Sequence, residues 1–257
     1  MAQLQALIFD VDGTLAETER DGHRRAFNQA FAEAGLDWEW SIDLYGQLLE
    51  VAGGKERIQF FLDRYRPAQI PPGDRSTWIA ELHAAKTRHY RSLLQAGGIP
   101  PRPGVCRLLQ AARAQGVRLA IATTSAPDNA IALLQTTLGP DSPNWFEVIA
   151  AGDIVAAKKP APDVYEYVLQ ALDLPPEVCV AIEDSQPGLA AATGAQLATV
   201  ITCNDYTRHQ DFRRAHLVLD HLGDPDRPFQ VLQGSVNPTV PYFTIDLAAQ
   251  LLSGAID

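Results

Sequence analysis

From Pro100 onward, apolar runs of strand length alternate with amphipathic stretches of helix length. A helix expected at Gly104–Gln115 precedes a strand at Val117–Ala122, and one at Asp128–Leu138 precedes Phe146–Ala150. Pro162–Leu172 precedes Val178–Glu183 in the same way, and Pro187–Gly194 precedes Ala198–Thr202. Such alternation builds parallel strands joined by helical crossovers that cover both faces of the sheet. Leu7-Ile8-Phe9, continuous in apolar character rather than alternating, reads as a further buried strand of that sheet. The fold class is therefore α/β, with a Rossmann-like parallel core.

The stretch between Glu17 and Gly97 breaks this rhythm. Its segments Asp21–Ala34, Ser41–Val51, Gly54–Tyr65 and Thr77–Leu94 place apolar residues at helical spacing, with Ala26, Phe27, Ala30 and Phe31 forming one stripe. Three prolines between Pro67 and Gly73 separate the last two helices. The expected organisation is a core of residues 1–15 and 98–257 interrupted by a helical domain of residues 16–97, which would sit over the strand ends as a lid. A closing helix is expected at Ile245–Leu252, and the rest of the chain beyond Pro225 carries little pattern.

Four of the core strand ends run into polar chemistry. Asp10 and Asp12 follow the first strand two positions apart, so both address one side of an extended segment. Two close carboxylates repel unless a cation intervenes, and hard oxygen ligands suit Mg²⁺. Gly13 allows a sharp turn after them. Thr123-Thr124-Ser125 ends the second strand ahead of Pro127 and Asp128, placing hydroxyls beside a helix N-terminus, as a phosphoryl group requires; Ser125 reads equally well as a plain helix cap. Lys158-Lys159-Pro160-Ala161-Pro162-Asp163 would bring an ammonium to transferring negative charge, although a solvated lysine pair is the ordinary reading. Glu183 and Asp184 end another apolar strand as paired acids. Any one of these groups alone is an ordinary loop; the four in this order are not.

A net charge of −10 disfavours wholesale binding to nucleic acid or an anionic membrane, so an anionic substrate must meet a local cluster of cations. Cys106, Cys179 and Cys203 are odd in number, widely spaced and in no CxxC pair, which points to reduced thiols and a cytoplasmic compartment. No leader-like segment and no membrane-spanning apolar run is apparent. A monomer acting on a small phosphorylated molecule is expected.

DVDGTL directly after LIF, Thr123 after its strand, KPAPD, and Glu183-Asp184 together resemble the four motifs of the haloacid dehalogenase superfamily. The resemblance implies that Asp10 attacks phosphorus, Asp12 is the general acid and base, and Thr123 and Lys159 hold the phosphoryl group. It further implies Mg²⁺ bound by Asp10, the backbone of Asp12 and Asp184, with Glu183 either a ligand or one step removed. The helical insert between the first two motifs resembles the C1 cap of the subgroup that includes β-phosphoglucomutase and phosphoglycolate phosphatase. Ala16–Asn28, Leu44–Ile58 and Glu81–Thr87 are similar to CbbY-type xylulose-1,5-bisphosphate phosphatases of photosynthetic organisms, which remove an inhibitory by-product of Rubisco.

By that resemblance the chain is an enzyme, a phosphoric monoester hydrolase of the cytoplasm or plastid stroma. Phosphoglycolate phosphatase and phosphomutase activities stand as alternatives, and an inactive binding module as a remote one. The uncleaved end of a bisphosphate needs cations, for which Lys55, Arg57 and Lys86 are the candidates. Glu17 would bind a sugar hydroxyl, His23 would face the site, and Thr124 lies beside the phosphoryl group. Where β-phosphoglucomutase keeps a cap histidine, this chain has Asp21 and Gly22, with His23 displaced by one, which favours hydrolysis over transfer.

Overall fold

A computed structural model of the chain describes residues 3–51, 53–234, 236 and 240–252. The backbone divides into two units, Met1–Glu17 with Pro100–Asp257 and, separately, Thr18–Ile99. Strand β1 (Ala6–Phe9) opens the first unit. The second unit holds a π-helical turn at Thr18–His23 and helices α1 (Arg24–Glu33), α2 (Ile42–Leu48), α3 (Gly54–Tyr65) and α4 (Arg75–Gln95). The chain then returns as α5 (Val105–Ala114), β2 (Arg118–Ala122), α6 (Pro127–Leu138), β3 (Val148–Ala150), α7 (Asp163–Leu172) and β4 (Cys179–Glu183). It ends with α8 (Gln186–Gly194), β5 (Ala198–Thr202), β6 (Leu217–Leu219), β7 (Val231–Gln233) and α9 (Ile245–Leu251).

Among the described residues the strands form one sheet in the order β3-β2-β1-β4-β5-β6-β7, parallel except for β7. From β1 the chain winds outward through β2 to β3 and re-enters on the other side of β1 as β4. Winding therefore reverses between β1 and β4, and open α/β sheets hold ligands outside the strand C-termini at such a reversal. Phe9 is level with Ile121 on β2 and Ile182 on β4, so Asp10, Ala122 and Glu183 leave the sheet at one height.

Burial explains why these strands read as unbroken apolar runs. On one face Ala6, Ile8, Ala120, Ala122, Ala150 and Ala181 pack against Val164, Tyr165, Val168 and Leu172 of α7 and Ala191 and Ala192 of α8. Small side chains there let the helices approach closely. Leu7, Phe9, Leu119, Ile121, Val180 and Ile182 point to the opposite face and are buried too. Strands β6 and β7, three residues each, are too short for periodicity to reveal. The expected strand at Phe146–Ala150 loses its start to a tight turn at Ser142–Trp145, in which the Phe146 amide donates to the Pro143 carbonyl.

The Thr18–Ile99 unit has a core of its own. Phe27 packs on Trp40 at 4.6 Å between ring centroids, Phe31 on Trp38 at 5.2 Å, and Trp38 on Phe61 at 5.4 Å and Trp78 at 5.7 Å. Aromatic pairs of this kind contribute about 0.5–1.5 kcal/mol each beyond their burial. Ser41 caps α2 by accepting from the Leu44 amide, and Asp74 caps α4 by accepting from Thr77. The first helix starts later than its apolar pattern predicts, because the chain enters it through the π-turn at Thr18–His23. Among the described residues no helix is long and apolar enough to cross a membrane.

Candidate active site

The ends of β1, β2 and β4 and the turn before α7 converge on Lys159. Its Nζ donates to Asp10 Oδ1 at 2.7 Å, to the Ala122 carbonyl at 2.8 Å and to Glu183 Oε1 at 2.5 Å. Three N–H groups meet three acceptors, so the ammonium is held in one orientation. Its side chain is only 7% exposed. Burial works against its charge, but Asp10 and Glu183 outweigh burial and raise its pKa. Lys158 instead pairs with exposed Asp153, as a solvated surface lysine does.

Asp10, Glu183 and Asp184 are buried and each places a carboxylate oxygen within 4.8 Å of the others. Burial pushes Asp10 up to about 7; Lys159 opposes that rise, and Glu183 and Asp12 add to it. Burial also lifts Asp184 well above the ordinary carboxylate range, with Asp10 and Glu183 adding to the effect. One ammonium is too little positive charge for three buried carboxylates, and a hard divalent cation matches the deficit in both charge and donor type. The residues present therefore fit Mg²⁺.

The two acids of the β4 end differ in what they face. Glu183 Oε1 accepts from Lys159 and from the Tyr165 hydroxyl at 2.7 Å, while Oε2 accepts from the Asp184 amide at 3.2 Å. Burial, with Glu183 next in effect, raises the Tyr165 pKa, which keeps its phenol protonated as donor. Asp184 Oδ2 accepts from Asn204 Nδ2 at 2.6 Å. A Cβ at Gly13 would strike the Asp184 carboxylate, and Gly13 has φ +85°, so both space and backbone require glycine there. A Cβ at Gly188, in the first turn of α8, would strike the Glu183 carboxylate, which Lys159 and Tyr165 pin in place. Gly188→Ala should therefore lower turnover at least about tenfold and stability by about 1–3 kcal/mol, read by phosphate release beside thermal melts. Unchanged turnover would mean that Glu183 has room to move.

Asp12 lies one turn beyond, where its Oδ2 accepts from the Ser125 hydroxyl. The helix-cap reading of Ser125 is corrected: the cap position of α6 is Ala126, and the Ser125 side chain serves Asp12. Thr123 is 2% exposed and its Oγ1 accepts from the Ser125 amide at 3.2 Å, whereas Thr124 is exposed. Glu17 forms an ion pair with Arg102 at 2.8 Å.

In the helical unit, Lys86 Nζ lies 3.0 Å from His23 Nδ1 and over the rings of Phe27 and Tyr90, on which His23 also stacks. His83 is held below the usual histidine range by burial and then by the charges of Lys86 and exposed Lys55, which places three basic groups together. Arg57 is a correction. Its Nε donates to the Leu48 carbonyl, one terminal nitrogen to the Tyr45 hydroxyl and the other to the Val51 carbonyl. At 9% exposure it ties α2 to α3 and is not a cation held ready for a ligand.

Tyr165, Asn204, His83 and Arg102 escaped the reading of the sequence. Tyr165 follows KPAPD by two positions and Asn204 follows β5 by two, so each had a positional signal. Arg102 and His83 had none.

The haloacid dehalogenase-like hydrolase family model matches residues 4–196. The plasmid-borne CbbY protein of Cupriavidus necator is 50% identical over 225 residues, 88% of each chain. CbbY of Rhodobacter capsulatus is 51% identical over 213 residues, 83% of this chain and 91% of its own. A crystal structure of the D10N mutant of Rhodobacter sphaeroides CbbY in complex with xylulose-(1,5)bisphosphate superposes with a TM-score of 0.71 at 45% identity, covering 87% of this chain and 96% of that one. With its strand-end carboxylates, buried lysine and reversal point in the places such an enzyme needs them, the chain belongs to the haloacid dehalogenase-like hydrolases and is a phosphatase of the group that contains the CbbY proteins.

Proposed function

We propose that the protein is a Mg²⁺-dependent phosphatase for a small sugar bisphosphate, with xylulose-1,5-bisphosphate as the foremost substrate. The observation that carries the reading is the Asp10–Lys159–Glu183 contact beside Asp184 at the reversal of the sheet; the substrate follows from likeness to the R. sphaeroides protein crystallised with that sugar.

Phosphate-monoester hydrolysis is slow enough that enzymes accelerate it by up to about 10²¹-fold, whereas acid–base help alone gives about 10²–10⁴. Positioning, charge neutralisation and division into two steps must supply the rest. Asp10 attacks phosphorus, forming its P–O bond as the bond to the sugar oxygen breaks, and becomes an aspartyl-phosphate. Asp12, oriented by the Ser125 hydroxyl, gives a proton to the departing sugar oxygen and then takes one from the water that releases phosphate. Lys159 keeps Asp10 aimed and carries positive charge to the transferring group, and the Thr123 hydroxyl binds a phosphoryl oxygen. Asp10, Asp184 and the backbone carbonyl of Asp12 would hold Mg²⁺, which when bound offsets negative charge on the phosphoryl oxygens. Glu183, with both oxygens engaged, anchors Lys159 rather than the metal.

Residues 16–97 act as the cap that selects the substrate. Lys55 and Lys86, with His23, take the phosphate that is not cleaved, and Glu17 addresses a sugar hydroxyl. The free cysteines support a reducing compartment, cytoplasm or plastid stroma, and we assign a monomer.

Phosphate release from xylulose-1,5-bisphosphate, ribulose-1,5-bisphosphate, phosphoglycolate and β-glucose-1-phosphate, each at one low concentration with Mg²⁺, tests the reading. The first should be turned over fastest. Lys55→Ala and Lys86→Ala should each raise KM for it about tenfold or more, as loss of a charge-assisted contact does, while leaving an aryl phosphate unaffected. Equal effects on both substrates would remove these lysines from specificity, and preference for phosphoglycolate would overturn the substrate.

A further inference from the structure

Among the described residues of the first unit, one of the most heavily engaged side chains lies outside the strand-end groups. Arg102 is 6% exposed, two residues after the chain re-enters this unit at Pro100. Its Nε pairs with Glu17 Oε1 at 2.8 Å. One terminal nitrogen donates to the Gly13 carbonyl and to the Thr202 carbonyl (2.7 Å) and hydroxyl (3.1 Å). The other donates to the carbonyls of Cys203 and Asp220, the latter at 2.8 Å. One guanidinium thus gathers the turn after β1, the loop after β5 and the end of β6. Its own amide donates to the Leu15 carbonyl at 2.9 Å, which fixes the base of the side chain to the same turn.

Two of these acceptors adjoin reacting groups. Gly13 follows Asp12, and Cys203 precedes Asn204, whose amide holds Asp184. Gly13 and the Asp184–Asn204 pair are already so close that a single methyl would not fit between them. A planar fork with donors on both tips reaches acceptors on two backbone segments set apart by its own width, a span that the single nitrogen of a lysine in its place does not cover.

We propose that Arg102 is a positioning residue for phosphoryl transfer. Acting through the Gly13 and Cys203 carbonyls, it sets the spacing between the Asp12 turn and the Asn204–Asp184 pair. The inference rests on the reading of Asp10 and Asp12 as the reacting carboxylates. A scaffold role would lower the amount of folded protein, whereas a positioning role lowers the rate of each folded molecule. Displacement of reacting groups by about 1 Å costs about 10²-fold in rate.

The test is steady-state hydrolysis of an aryl phosphate with saturating Mg²⁺, beside thermal melts, for the wild-type protein, Arg102→Lys and Arg102→Gln. We expect kcat about 10²-fold lower in the folded fraction of both variants, with KM within about twofold of wild type. Millimolar ethylguanidinium should restore part of the rate in a third variant, Arg102→Ala, with no change in melting temperature. A kcat within threefold of wild type in either folded variant overturns the proposal, as does recovery of both variants only as unfolded protein, which would make Arg102 a scaffold residue. Absence of turnover in the wild-type protein would instead overturn the phosphatase reading and Arg102's part in it.

Discussion

Asp10→Asn should lower phosphate release by about 10⁴-fold or more, because the proposed mechanism draws the attacking oxygen from Asp10 and leaves Asp12 to proton transfer. The same substitution should stabilise the metal-free protein at alkaline pH. Asp10 titrates near 7 in the folded chain against 3.8 as the ordinary value, so the folded state keeps a proton that the unfolded state has released. Stability of the metal-free protein therefore falls as pH rises from about 4 through 7, by on the order of 4 kcal/mol in all. Asparagine carries no such charge. Melts in EDTA should coincide near pH 4 and separate in favour of the variant by pH 8, and Mg²⁺ should close the gap by stabilising wild type. A variant retaining a hundredth of the wild-type rate would displace Asp10 as nucleophile, and a pH-independent gap would refute the buried-charge account.

Lys159→Met is the second large effect, and it strikes fold and chemistry together. Without the ammonium, Asp10, Glu183 and Asp184 remain as buried carboxylates with no counter-charge inside their 4.8 Å group. Breaking a buried pair from one side costs about 3–5 kcal/mol, more than deleting an ordinary surface lysine by several-fold. Turnover should fall by about 10²–10³-fold in whatever fraction stays folded, the loss expected for one preorganised donor to a phosphoryl oxygen. Because Mg²⁺ held as proposed would supply positive charge to the same carboxylates, the variant's melting temperature should depend more steeply on Mg²⁺ than that of wild type. Equal dependence in both proteins would mean that lysine and metal do not share a charge balance.

Much of this was written in the strand ends. The parallel sheet declared itself because each central strand is buried on both faces and so reads as an unbroken apolar run, and chain direction alone then placed Asp10, Thr123 and Glu183 at one end of it. Strands β6 and β7 did not, since three residues carry no period. Site residues were legible where chemistry and position coincide, as at Lys159 before Pro160. Arg57 and Arg102 show the limit. Arg57 follows Lys55 and Glu56, and Arg102 stands between prolines, so nothing beside either marks its fate. Yet each is buried and spends its donors mainly on backbone carbonyls, Arg57 on the end of α2 and the turn after it, Arg102 on segments 100 and 118 positions away. Ser125 was ambiguous for a related reason, because its acceptor lies 113 positions away in sequence.

The aromatic packing of the helical unit has a spectroscopic corollary. Of the four tryptophans in the chain, Trp38, Trp40 and Trp78 lie in that one cluster, while Trp145 sits in the other unit with the Arg113 guanidinium 4.5 Å over its ring. Near-ultraviolet emission is therefore weighted toward residues 18–99, and in Trp145→Phe it would come from them alone. Far-ultraviolet ellipticity sees both units. One optical signal would then follow the helical half and the other the whole polypeptide without any added label, and unfolding of the helical half ahead of the sheet would complete the red shift in emission while part of the ellipticity remained.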